Sequence, residues 1–355
     1  MPVRKPALRS AAPAIRRALL AWFARHRRAM PWREEVSAYR TVVSELMCQQ
    51  TQIATAIPYF ERWVSRWPDF KSLAKADEAA VLKLWAGLGY YSRARNLLNL
   101  AKQVAALKEP PQIAAEWQKF KGVGPYTAAA IASIAYRQPV AVVDGNVVRV
   151  LSRLDGYREK LKDAALAAKQ FTELADALVD PKQPGDFNQA MMELGATVCR
   201  KAWPECGKCP LAKWCDARQQ GDAESLPRFV SKVRKTAVVQ RALVVRAGKL
   251  LLRRYGPGSR RLVGMAEIPE VTTLGVELTG EPALIRRRTI GTITYEERLH
   301  VVSAAATEVR RWTRDGELEW VATESLEQAA LTGPHLRWLR EWLSPSGPKA
   351  RGRLP

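Results

Sequence analysis

Phe120-Lys121-Gly122-Val123-Gly124-Pro125-Tyr126-Thr127 lies between two segments of helical patterning and reads as a hairpin that joins them. A Gly-x-Gly turn leaves backbone amides free at the start of the following helix, where the helix dipole also favours an anion. Gly122, Val123 and Gly124 are therefore candidates to grip a phosphate without reading sequence. The plainer alternative is a turn that only joins helices, and the turn alone does not choose between them.

Working outward, apolar residues recur at helical spacing in Ile15, Leu19, Trp22 and Phe23, in Ile57, Phe60 and Val64, and in Val81, Leu84 and Leu88. Pro58, Pro68, Pro110-Pro111 and the stretch from Pro181 to Gly185 punctuate the pattern as turns. Residues 12–218 are thus expected to form an all-α domain. Residues 219–236 are polar and charged without sustained periodicity and read as a linker. Beyond them the texture changes. Val238 to Val245 and Leu250 to Arg253 look like strands around an Ala-Gly-Lys turn, followed by strands at Thr289 to Thr294 and His300 to Ala305 and a helix from Pro334 to Leu343. A smaller α+β domain is expected over 237–343, with a disordered tail rich in Pro, Gly and basic residues over 344–355.

The chain has 355 residues, 47% of them apolar, enough for two domains with cores of their own. No run of about 18 apolar residues suggests a membrane span. Lys and Arg number 57 against 35 Asp and Glu, a net charge of +22. That excess points to a polyanionic partner, nucleic acid before an anionic membrane, because no basic amphipathic helix with a strongly apolar face is visible. Residues 1–17 are basic and proline-broken rather than a secretory leader, so a cytoplasmic, bacterial and nucleoid-associated protein is expected.

Four cysteines, Cys199, Cys206, Cys209 and Cys215, fall in the order C-x6-C-x2-C-x5-C. Thiolates this dense, with no histidine beside them, suit a [4Fe-4S] cluster. Zinc sites of four cysteines usually show two separated C-x2-C pairs, and here only Cys206 and Cys209 form one. Two disulfides would need an oxidising compartment. Cys48 stands alone in an apolar helical stretch and reads as core packing.

Two carboxylates stand out. Asp144, in Val142-Val143-Asp144-Gly145-Asn146-Val147, precedes a helical run; it is either a plain N-cap or a reactive acid. Glu45, in Ser44-Glu45-Leu46-Met47-Cys48-Gln49-Gln50-Thr51, is a single acid in an apolar, amide-rich segment. If desolvated there, its pKa rises and it is suited to donate a proton; otherwise it is a solvated surface glutamate. The Gln49 and Gln50 amides suit base edges or a gap in a duplex, or form only a polar helix face.

Taken with Met30-Pro31-Trp32-Arg33, Gly87-Leu88-Gly89-Tyr90-Tyr91-Ser92-Arg93 and Phe187-Asn188-Gln189-Ala190-Met191-Met192-Glu193-Leu194-Gly195, these motifs over residues 12–218 resemble the MutY-type adenine DNA glycosylases of the helix-hairpin-helix superfamily. The resemblance implies an all-α helix-hairpin-helix glycosylase domain with a [4Fe-4S] loop over 199–215, followed by an α+β Nudix-like domain. It also implies base excision of adenine mispaired with 8-oxoguanine or guanine in double-stranded DNA, by a monomer. Glu45 would protonate the flipped-out adenine and help activate water, and Asp144 would stabilise the oxocarbenium-like sugar, as carboxylates do in glycosidases. Tyr126 and Asn146 match positions supporting these two. Arg28, Trp32, Arg33 and Gln189 match positions near the adenine pocket, and Gln50 and Tyr90 match residues that wedge into the duplex. Trp32 can equally be core.

In the related endonuclease III-like branch a lysine stands where this chain has Tyr126, so a monofunctional enzyme is expected. The C-terminal half resembles the family's Nudix-like domain loosely. The hydrolytic Nudix signature is absent, and Ile293-Thr294-Tyr295 stands where the family has Phe-Ser-His. Of the three histidines, His26, His300 and His335, only His300 is near. Weaker discrimination for 8-oxoguanine is the consequence. The competing readings are another lesion specificity, a non-catalytic DNA-binding protein whose cluster staples a basic loop, and an electron carrier.

Overall fold

The computed structural model describes residues 6–231 and 235–344, apart from 257, 260, 261, 279, 304–311 and 313–315. The chain divides into two compact units, residues 1–230 and 231–355. Most of the tail expected to be disordered lies outside the described residues. Among the described residues no helix is long and apolar enough to cross a membrane.

The first unit is helical. It runs through α1 (Pro6–Ser10), α2 (Ala12–His26), α3 (Pro31–Glu34), α4 (Ala38–Cys48), α5 (Ile53–Arg66), α6 (Phe70–Ala74) and α7 (Glu78–Trp85). It continues with α8 (Ser92–Ala105), α9 (Ala114–Trp117), α10 (Pro125–Tyr136), α11 (Gly145–Asp155), α12 (Ala164–Leu178), α13 (Pro184–Thr197) and α14 (Asp216–Gln219). Short polar side chains start many of these: Ser37 accepts from the Arg40 amide, Asp69 and Ser72 form a capping box, and Asp77, Asp144 and Asp163 cap α7, α11 and α12.

The helices bury their apolar faces in two cores. One gathers α4, α5, α8 and α10 around Phe60, Trp63, Trp85 and Trp117. The other joins α2, with Ile15, Leu19, Trp22 and Phe23, to α11, α12 and α13. Between them runs α10, whose Ala128, Ala130, Ile131 and Ala132 are buried on every side, as an all-apolar helix must be. Its small residues allow it to pack on α4 on one side and α13 on the other. Pro58 does not end a helix as its type suggests. It sits exposed within α5, where the buried stripe of Ala56, Phe60 and Trp63 holds the helix through it.

Residues 219–230, expected as linker, belong to this unit. Ala217, Ala223 and Leu226 are buried against the cysteine loop, Arg158 pairs with Asp216 and Asp222, and Leu161 bridges to Phe229. Three apolar residues scattered in polar text carry no periodicity, yet suffice to cover a loop.

The second unit is α+β. β1 (Lys235–Leu243), β2 (Val245–Arg246), β3 (Lys249–Arg254), β4 (Ala266–Glu267), α15 (Val271–Leu274), β5 (Leu284–Ile290), β6 (Ile293–Val301), β7 (Leu318–Ala322) and α16 (Gly333–Leu343) follow in order. One sheet runs β1-β6-β5, with β1 parallel to β6; in the other β3 pairs with β2, β4 and β7. Helix α15 packs on β1 and α16 on β5. Two expected strands are corrected. The run from Val238 to Val245 is divided at Val244 between the two sheets, and Thr289 to Thr294 spans a hairpin whose turn is Gly291-Thr292. Gly291 adopts a φ of 62°, the left-handed conformation that a tight hairpin turn requires.

Candidate active site

Helix α10 carries the site. Gly122 holds a φ of 90° with its Cα against Asn96, where a Cβ would come within 2.7 Å of the side-chain amide. Val123 is buried and anchors the turn, while Gly122 and the extended Gly124, at the N-cap of α10, are exposed. Two residues on, Tyr126 donates its hydroxyl to Glu45 Oε2 and lies 3.6 Å from Met192 Sδ. One side chain on the central helix thus touches α4 and α13.

Glu45 is only partly exposed. Burial pushes its pKa up to about 7, the Tyr126 hydrogen bond and Arg33 hold it down, and the charge of Asp144 adds to the rise. Tyr126 is raised well above 10 by burial and then by Glu45 and Asp144, so it stays a donor. Asp144, at the N-cap of α11, accepts from Val147 N at 2.7 Å and from Asn146 Nδ2 at 2.9 Å. Burial nonetheless raises its pKa, against the pull of those bonds. Asp144 is thus an N-cap and a desolvated acid at once.

A second group adjoins it. Arg28 and Arg33 converge on Glu193 of α13, at 2.6 and 3.0 Å, and Arg33 also reaches Gln189 at 2.9 Å. Trp32, partly exposed, rests edge-on against Phe60 at 5.2 Å on the rim of the first core. Gln49 makes a long contact to Thr127 at 3.5 Å. Gln50 and Tyr90 are exposed, both with positive φ, 56° and 47°. Cys48 packs against the first core.

Sequence reasoning passed over the residues that tie these parts together. Glu193, one acid in the run Phe187 to Gly195, is buried, and despite burial its bonds to Arg28 and Arg33 keep its pKa low. Arg149 binds Asn146 Oδ1, Gly195 O and Cys199 O, each at 2.8 Å, and so joins the Asp144 loop to the first cysteine. Arg153 binds the carbonyls of Arg200, Lys201 and Leu226 and lies 3.2 Å from Cys199 Sγ. The available signal was an arginine repeated within the apolar run of α11.

The four cysteines of the expected cluster line one cavity together with Arg153, Val198 and Pro204. No three His, Cys, Asp or Glu side chains among the described residues are grouped for a single metal ion. Burial raises the Cys209 thiol to about 12, and the other three sulfurs add to the rise. Four cysteine sulfurs lining one cavity, without the close grouping that a single ion would need, are a donor set that fits a polynuclear cluster. Of the loop's cations, Arg200 and Lys208 are paired with Glu205 rather than free.

In the second unit, Ile293-Thr294-Tyr295 is not a loop. It is ladder, paired with Lys235–Ala237 of β1 and with Arg288–Ile290 of β5. His300 is buried with Nε2 2.7 Å from Gln240 Oε1, and His335 is fully buried, so neither faces outward.

The architecture is that of a helix-hairpin-helix protein, and residues 43–176 match the HhH-GPD superfamily of base excision DNA repair proteins. A solved thermostable thymine-DNA glycosylase has the same fold, with a TM-score of 0.54 at 25% identity over 60% of this chain and 99% of that one. The adenine DNA glycosylase of Mycobacterium tuberculosis is 41% identical over 206 residues, 57% of this chain and 67% of its own length. The human adenine DNA glycosylase is 46% identical over 224 residues, and that of Arabidopsis thaliana 44% over 230. These matches take in 60% and 57% of this chain but only 41% of the human protein and 36% of the plant one. The chain belongs to the adenine DNA glycosylase family.

Proposed function

We propose that the chain is a monofunctional glycosylase that flips adenine out of a mispair with guanine or 8-oxoguanine in duplex DNA and hydrolyses its glycosidic bond. The observation that carries this is Glu45, a carboxyl raised to about 7 that accepts from Tyr126 and feels the nearby Asp144. An acid with that pKa holds its proton for part of the time near neutrality and can give it up. Glu45 protonates an imidazole nitrogen of the adenine, and the bond to the anomeric carbon breaks with its electron pair going to the base. Asp144, oriented by Val147 and Asn146, supports the positive charge left on the sugar. Water adds to the anomeric carbon and its proton returns to Glu45.

Arg28, Arg33 and Gln189 hold the extruded base, Gln50 and Tyr90 occupy the space it leaves, and the amides from Gly122 to Gly124 grip a phosphate. With tyrosine rather than lysine at position 126 the amine of the related branch is missing there, so strand cleavage is weak or absent. Cys199, Cys206, Cys209 and Cys215 hold a [4Fe-4S] cluster, whose part is to fix the loop carrying Lys201 and Lys213 rather than to take electrons in the reaction. Purified protein should be brown, with about four irons per chain; zinc without visible absorbance would overturn the cluster. The α+β unit is a Nudix-like domain that reads the opposite base, with reduced preference for 8-oxoguanine because Phe-Ser-His is absent.

Single-turnover base release from duplexes carrying adenine opposite 8-oxoguanine, guanine, cytosine or thymine tests the reading. Release should be confined to the first two, and Glu45→Gln should abolish it while duplex binding is kept. Equal release from all four, or undiminished release by Glu45→Gln, would sink it.

A further inference from the structure

Arg93 is 7% exposed, and no carboxylate pairs with it among the described residues. Its charge is met by carbonyls instead. Nη1 donates to Leu46 O at 2.8 Å, to Met47 O at 3.2 Å and to Gln49 O, all at the C-terminal end of α4. Nη2 donates to Leu88 O at 2.9 Å and Gly89 O at 3.3 Å, in the turn before Tyr90, and both nitrogens lie 3.4 Å from Thr51 Oγ1. One guanidinium therefore ties two turns some 40 residues apart, each nitrogen serving mainly one of them.

The placement is unfavourable for the helix that carries it. Arg93 lies in the first turn of α8, where the helix dipole repels a cation. The compensation comes from α4, whose C-terminal carbonyls it caps. What it holds in place is strained: Gln50 and Tyr90 are non-glycine residues in the left-handed region, and Tyr90 is 62% exposed with Arg93 5.4 Å from its ring. Such conformations persist only where their surroundings impose them, and they gather at working sites.

We infer that Arg93 is a positioning residue, whose fork holds Gln50 and Tyr90 together in the geometry that enters the duplex and drives the adenine out. This rests on the function proposed above and adds what sets its wedge. A lysine keeps the charge but is a point donor, unable to hold both turns.

The test compares Arg93→Lys, the double variant Gln50→Ala/Tyr90→Ala and all three changes combined, on duplexes carrying 2-aminopurine or adenine opposite guanine, and adenine opposite an abasic spacer. Arg93→Lys should cut the rise in 2-aminopurine fluorescence on binding about threefold or more and slow adenine release from the paired duplex about ten- to hundredfold. Release opposite the spacer, where there is no pair to break, should slow less than about threefold, and in the Gln50→Ala/Tyr90→Ala background Arg93→Lys should add nothing. Equal slowing on both duplexes, additive effects, or a fall of more than about 10 °C in melting temperature would overturn the inference by assigning Arg93 to the fold. If the unmutated protein released no adenine, the proposed function would fall, and the fluorescence comparison would still judge Arg93.

Discussion

Glu45 of the helical unit and Glu297 of the α+β unit both lie below the surface, and their charges are treated in opposite ways. Glu297, fully buried, lies 2.7 Å from Arg241 Nε and 2.6 Å from Arg288 Nε. Beside it Glu267 meets Arg241, Arg288, Thr332 and Tyr255, while burial, aided by both arginines, keeps His335 neutral. Among the described residues there, buried Arg241, Glu267 and Glu297 each have an opposite charge beside them. Glu45 has a phenol, another carboxylate and only the distant help of Arg33. Burial with paired arginines makes structure; burial without them makes an acid that holds its proton near neutral pH.

After the loss expected of Glu45→Gln, substitution of Asp144 should give the largest effect. Asp144→Asn keeps an N-cap, so the melting temperature should stay within a few degrees while adenine release falls about 10³-fold or more. A large loss of thermal stability with modest loss of rate would make Asp144 a cap and break the contrast at its catalytic end.

Glu297→Gln leaves the buried Arg241 and the partly buried Arg288 with one carboxylate fewer. Denaturant unfolding should show a loss of about 3 kcal/mol, with release from an adenine:guanine duplex little changed. A stable variant that no longer releases adenine would mean that the paired cluster also serves the reaction.

The pH dependence separates the two glutamates further. Burial raises Glu45 from 4.5 to about 7, so the folded protein keeps a proton that the unfolded chain has released. Its contribution to stability is complete below about pH 4.5 and is lost as pH rises towards 7, by about 3 kcal/mol in all. Unfolding measured across this range should show the decline, and Glu45→Gln should flatten it. The rate of release should fall with rising pH above about 7. A decline identical in Glu45→Gln would place the titration elsewhere.

Tyr295→Phe should matter least. Tyr295 is paired in the ladder on both sides. The ratio of release opposite 8-oxoguanine to that opposite guanine should move by less than about threefold, since a direct base contact would be worth ten- to hundredfold. A larger change would show that Tyr295 reads the opposite base.

Much of the site was legible because it is built from local motifs. The hairpin at Gly122, the cap at Asp144, the acid at Glu45 and the cysteine spacing each state their chemistry within a few residues. What escaped were the cations and anions that join motifs. Arg93, Arg149, Arg153 and Glu193 find their partners across tens of residues or more, and as single charged letters they look like any solvated face. The strands misjudged at Val244 and Gly291 failed for a related reason. A continuous apolar run reads the same whether it stays in one sheet or passes between two, and a single glycine turns a strand back on itself.

By itself the amino-acid order determined the helical and α+β halves, the helix starts, the hairpin and the set of residues able to do acid chemistry, since these follow from periodicity, capping and turn chemistry within a few residues. Only the tertiary structure decided which acid keeps its proton near neutral pH. The desolvation and fields that raise Glu45 and leave Glu297 paired are sums over neighbours brought from distant helices and strands, and no local pattern contains those sums.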